Sequence, residues 1–302
     1  MTLLRMTDRI CEDLKARIGI DRAKGTYPAY YYMRRTLGEF IQWQFKTKDI
    51  AFGQLSEQFI HDYQNFVMDV KGYAVDTVRH YLAILKKICR IAYKEGYAER
   101  CHFANFTLPK QSERTPRALS REDFEKIRDV EIPACRTTHI LVRDLFLFAC
   151  YTGTAYADAV SVTRDNLYTD DDGNLWLKYR RKKNELQASL KLLPEALALI
   201  EKYHDDNRPT LFPMVRHPNL RQHMKSLAVL AGVSSTLCYH QARHSFASLI
   251  TLEAGVPIET ISRMLGHSDI TTTQVYARVI PKKLFEDMDK YIEATKDLKL
   301  IL

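Results

Sequence analysis

The stretch TLPKQSERTPRA, residues 107–118, most constrains what this chain can fold into. It carries two prolines and basic residues and has no hydrophobic periodicity. Proline removes a backbone donor and pushes the preceding residue away from helical geometry, so no regular element runs through the stretch. The 302-residue chain is longer than one average domain. Two bodies are therefore expected, residues 1–106 and 119–302, joined by an extended linker over 107–118.

The first body reads as about four amphipathic helices. SEQFIHDYQNFVMDV places Phe59, Ile60, Tyr63, Phe66 and Val67 on one stripe, with Ser56 as N-cap. DTVRHYLAILKKICRIAYKEG repeats the pattern with Val78, Leu82, Leu85, Ile88, Cys89 and Ala92, and Gly96 ends it. Arg79, Lys86, Lys87, Arg90 and Lys94 fall on its polar positions, as a solvated face or a wall facing phosphates. In the second body Ser120 caps a new helix, and TTHILVRDLFLFACYTG reads as a buried helix stopping near Gly153. A DDDGN turn then joins two short β-runs, and KKNE turns into a third, ASLKLL. The fold class is thus mainly α with a small antiparallel sheet.

Composition narrows the function. At 46% hydrophobic the chain has ample apolar content for folded cores, and no apolar run reaches the roughly 18 residues of a membrane span. The start MTLLRMTDRICEDLK is too charged for a signal peptide. Six scattered cysteines without a CxxC pair suit a reduced cytoplasm. The net charge is +8, compatible with a nucleic-acid partner.

YHQARHSFASL, residues 239–249, reads either as a metal site or as a clamp for an anion. His240 and His244 stand four apart, as two ligands on one helical turn would. A zinc hydrolase needs a glutamate beside the first histidine, and Gln241 holds that place. Arg243 shares the helical face with His240 at i, i+3 and favours an anion there. No metal is expected.

Downstream come LGH with His267 and TTxxxY with Tyr276. HxxRH, LGH and TTxxxY, in this order and at short spacing, resemble the tyrosine recombinase (phage integrase) family. The resemblance covers most of the chain and implies a helical SAM-like core-binding domain, a linker, and a catalytic domain with a tail helix from about residue 284. It implies DNA cleavage and rejoining through a 3′-phosphotyrosyl intermediate and a Holliday junction, without cofactor, metal or ATP. Tyr276 would be the nucleophile, with Arg243, His240 and His267 stabilising the transition-state charge. A general-acid lysine on the hairpin YRRKKNE falls at Lys183, with Lys182 as competitor. Asp158 would support the HxxR helix.

One position departs from the family. Its first catalytic arginine lies in TGxR, and here TGTA puts Ala155 there. The departure resembles conjugative-transposon integrases of Bacteroidales type; a catalytically inactive DNA-binding protein of the same fold is the alternative. An active enzyme needs a substitute cation. Arg143 lies three turns upstream, while Arg180 and Arg181 lead into the hairpin. Strand alternation puts Arg181 on the face of Lys183, which makes it the candidate. The family further implies duplex DNA as partner, held in a C-shaped clamp by phosphate contacts, for which the basic positions Arg79, Lys86, Lys87, Arg90 and Lys94 noted above are the candidates in the first body. It also implies a homotetramer on paired sites, accessory DNA-bending proteins, no membrane, and a place at the nucleoid in a bacterial cytoplasm.

Overall fold

The computed structural model describes residues 1–22, 25–101, 103, 106–112, 117–233, 237–277, 288–290 and 292–293. The chain divides into two compact units, residues 1–113 and 114–302.

The first unit holds α1 (Leu3–Ala16), α2 (Thr26–Phe45), α3 (Glu57–Asn65) and α4 (Val75–Lys94). Its core is aromatic at the centre, where Phe40 packs against Phe59, Tyr63 and Phe66. Ser56 caps α3 by accepting from the Phe59 N–H at 3.1 Å, and α3 widens into a π-helical turn over Phe66–Val70. On α4 the apolar stripe from Val78 to Ala92 is buried, while Lys87, Arg90 and Lys94 are exposed. Arg79 and Lys86 do something else. Arg79 donates to the Pro109 carbonyl and Lys86 to the Phe106 carbonyl. Asp76 accepts from the Ser112 N–H and hydroxyl at 3.1 and 2.7 Å. The first half of the expected linker is therefore strapped along α4. Extended backbone has no partners of its own, and the polar side chains of α4 supply them.

The second unit is mixed. It contains α5 (Arg121–Asp129), α6 (Thr137–Thr152) and the short α7 (Tyr156–Ala159). Next comes an antiparallel sheet in the order β1 (Leu167–Thr169), β2 (Leu175–Arg180), β3 (Gln187–Lys191). Helices α8 (Pro194–Lys202), α9 (His217–Leu230), α10 (Tyr239–Ser245), α11 (Ile258–Leu265) and α12 (Thr271–Ala277) follow. Helix α10 continues directly into a π-helical segment, Phe246–Leu252. Helix α6 is buried over most of its surface, which explains its near-continuous apolar sequence; α8, α9 and α10 pack around it. Its one buried acid, Asp144, is satisfied by Arg143, Lys202 and Tyr203 at 2.8, 2.5 and 2.9 Å. Of the expected tail helix, Leu284, Phe285 and Tyr291 lie outside the described residues. Among the described residues no helix is long and apolar enough to cross a membrane.

Helix α6 stops at Gly153 because the chain turns left-handed there, at φ 68°. A Cβ at this position would stand 2.6 Å from the Phe246 ring and 2.7 Å from Leu265. Gly153→Ala should therefore destabilise the second unit by about 2–4 kcal/mol, summing left-handed strain and overpacking. Urea unfolding followed by Trp176 fluorescence in a Trp43→Phe background would read this as a lowered midpoint.

Candidate active site

The site is built where two helices end. Helices α6 and α11 both terminate in left-handed glycines, Gly153 and Gly266, and both present C-terminal carbonyls to one side chain. Arg243 of α10 donates from Nη1 to the Gly153 carbonyl at 2.6 Å and from Nη2 to the Leu265 carbonyl at 2.5 Å. Helix C-termini carry partial negative charge, which suits a guanidinium. Arg243 is only 2% exposed, and burial lowers its pKa to about 10, with the nearby charge of Arg181 adding to the effect. It remains charged near neutrality with donors to spare for an anion.

Arg181 completes the cationic pair. It is 7% exposed and donates from Nη1 to the Gly266 carbonyl at 2.9 Å. Its stem crosses Gly266 so closely that a Cβ there would lie 2.8 Å from Arg181 Cδ. Gly266 thus serves two purposes: it turns the chain at φ 59° and leaves room for the arginine. Arg181 Nε is buried, has no hydrogen-bond partner among the described residues, and stands 3.8 Å from Asp158 Oδ2. The other Asp158 oxygen accepts from the Lys182 N–H at 2.8 Å, so this carboxylate fastens the β2–β3 hairpin to α7. Arg180 points to solvent. Arg143 is tied to Asp144 and the Val130 carbonyl near the start of α6.

The hairpin tip carries Lys182 and Lys183, both exposed. The charge of Lys183 reaches His240 and His267 and helps hold both imidazoles below their ordinary value. Burial is the larger cause for each and takes His267 down to about 3. His267 Nδ1 and the buried Thr273 hydroxyl are paired at 2.7 Å. That pairing fixes the ring and leaves Nε2 for a ligand.

Tyr276 is 3% exposed, and burial raises the pKa of its phenol, against the lowering pull of Arg243 and Arg181. Its Oη lies 2.9 Å from His244 Nδ1. His244, pushed down to about 4 by burial, His240 and Arg243, also meets the His240 ring edge-on at 4.5 Å. The second histidine of HxxRH therefore faces the phenol.

Three residues escaped the sequence reading of this site. His244 was visible there only as half of a possible metal pair. Thr273 precedes Tyr276 by three residues, one helical turn, which was the available signal. Tyr179 precedes Arg181 by two and shares its face of the strand. Its hydroxyl is buried without a hydrogen-bond partner among the described residues. Burial pushes that phenol up to about 12, moderated by Arg243.

Residues 118–283 match the phage integrase family, and residues 2–108 match the phage integrase SAM-like domain. The chain belongs to the phage integrase family, the tyrosine recombinases. It is 25% identical over 269 residues to the tyrosine recombinase XerD of Listeria monocytogenes serovar 1/2a, covering 83% of this chain and 87% of that protein. Its fold is similar to that of the XerH site-specific recombinase bound to palindromic difH substrate in a post-cleavage complex. The TM-score is 0.71 at 18% identity, over 95% of this chain and 84% of that one. The Tn1549 transposon integrase in complex with a circular intermediate DNA gives a TM-score of 0.70 at 14% identity, over 96% and 99%.

The buried histidines make stability pH-dependent. His244 and His267 are depressed from an ordinary value of 6.5 to about 4 and about 3. As pH falls below about 6.5 the unfolded chain takes up protons that the folded chain refuses, so the stability is whole above that value and drains toward the folded pKa values. Urea midpoints should decline steadily from pH 7 to pH 4.5, and His267→Gln should flatten the decline.

Proposed function

We propose that the chain is a site-specific DNA recombinase that cuts and rejoins duplex DNA through a 3′-phosphotyrosyl link, without metal or ATP. One observation carries the reading. Arg181, Arg243 and Lys183 act electrostatically on a cluster of neutral histidines beside a buried phenol, with Asp158 as the carboxylate in contact. Such a cationic centre is matched to a phosphodiester, whose transition state gathers charge on the non-bridging oxygens. Tyr276 is the nucleophile. Arg243, His240 and His267 hold the phosphoryl oxygens, and Lys183 protonates the departing 5′ oxygen. Asp158 supports the hairpin.

Arg181 takes the place of the arginine absent at Ala155. Its buried Nε without a hydrogen-bond partner supports this, because a guanidinium forced into that position by packing alone leaves a donor wasted. The Ala155 departure, together with the likeness to the Tn1549 integrase, supports an integrase of a mobile element, of the conjugative-transposon type. Catalysis would take place in a tetramer on paired sites. Lys87, Arg90 and Lys94, on the exposed side of α4, supply phosphate contacts, whereas Arg79 and Lys86 act mainly through the linker.

A library of nicked duplexes with a randomised core, incubated in EDTA, tests the chemistry and supplies a substrate. Wild type should become covalently attached to selected duplexes, and Tyr276→Phe should not; an adduct with the Phe variant would exclude Tyr276 as nucleophile. On a duplex so selected, Arg181→Ala should cut about a hundredfold more slowly with binding little changed. A loss of tenfold or less would remove Arg181 from the chemistry.

A further inference from the structure

Attack by Tyr276 requires that its proton go somewhere. Burial raises the phenol pKa above its ordinary value of 10, so the phenolate is scarce near neutrality and proton loss has to accompany attack. We propose that His244 is the base that takes this proton, an inference that rests on the reading of Tyr276 as nucleophile.

Three observations support the assignment. The first is distance: His244 Nδ1 stands 2.9 Å from Tyr276 Oη, within the reach a general base needs. The second is state. The half-buried imidazole is neutral near pH 7, so a ring nitrogen is available to accept. Charge brought by a phosphate beside Arg243 would then favour the protonated ring. The third is placement within the cationic cluster. Lys183 and Arg181 are among the charges that lower His240, and among the described residues those that lower His244 are His240 and Arg243. His244 stands one helical turn along α10 from His240 and is paired with Tyr276 of α12 rather than with the hairpin. In-line displacement puts the nucleophile and the leaving oxygen on opposite sides of phosphorus. A base beside the phenol and an acid on the hairpin match that geometry, and His240, one helical turn away, stays with the phosphoryl oxygens.

The step balances. The Tyr276 Oη–P bond forms and the P–O5′ bond breaks. The phenolic proton passes to His244 Nδ1, and the 5′ oxygen takes a proton from Lys183. Religation reverses each movement, and no oxidant or reductant is involved.

The experiment uses the full chain and a duplex selected from the nicked library, with single-turnover adduct formation as readout. His244→Ala removes the base. His244→Asn keeps a polar atom near the Nδ1 position but cannot take up a proton. Both should slow the adduct by about a hundredfold or more. Placing 3,5-difluorotyrosine, a more acidic phenol, at position 276 should restore most of the loss in both variants. If His244 merely positions the phenol, Asn should retain the rate and the fluorinated tyrosine should rescue nothing. If it merely latches a buried tyrosine, both variants should be as fast as wild type or faster. Either result overturns the proposal, and circular dichroism separates a folding defect from a slow folded variant. Wild type failing to attach through Tyr276 would instead overturn the recombinase reading, and the proposal with it.

Discussion

The second unit is organised around one buried guanidinium. Arg243 joins the C-terminal carbonyls of two helices that are distant in sequence, Gly153 of α6 and Leu265 of α11. Neither helix end has an intrahelical partner for its last carbonyls, and a buried arginine without acceptors would not be tolerated. Each deficit meets the other. The arrangement fixes α10 against α6 and α11, and with it the orientation of His240 and His244, which share the helix with Arg243.

The same contact explains the glycines. Arg243 can reach the α6 terminus because the chain leaves Gly153 left-handed, with Phe246 and Leu265 filling the space a side chain would occupy. At Gly266 the missing Cβ is filled by the stem of Arg181. The LGH motif is thus as much a seat for an arginine from the β-hairpin as a carrier of His267. Burial of the rings themselves, reinforced by the charge of Arg243, holds His240, His244 and His267 neutral, and Arg181 adds to this at His240 and His267. Two buried guanidiniums so close together favour an anion beside them, which is the basis of the proposed phosphate clamp.

Tyr276 sits at the edge of this cluster rather than in solvent. Its helix is held by two histidine contacts, His244 to Tyr276 and His267 to Thr273. Both imidazoles are uncharged near neutrality, chiefly through burial, with Arg243 adding to the effect.

Much of this was legible in the sequence. Apolar stripes on α3 and α4, the continuous apolar run of α6, the serine caps at Ser56 and Ser120 and the DDDGN turn are local signals, and local physics decides them. The order HxxRH, LGH, TTxxxY located Arg243, His267 and Tyr276 because their spacing along the chain is short. What tertiary structure alone decided concerns partners far apart in sequence. His244 had no role left in the sequence once the metal pair was set aside, and α12 supplies its partner Tyr276 across 32 positions. Arg79 and Lys86 looked like a free basic face until the linker folded back and used them. Alternation put Arg181 on the face of Lys183, but β2 ends at Arg180 and the turn leaves Lys183 exposed while Arg181 is buried; its seat across Gly266, 85 residues away, depends on a missing Cβ and a carbonyl supplied by another element. Periodicity determines which side of an element a residue occupies; which group waits on that side is set by packing, and packing is not a local property of the chain.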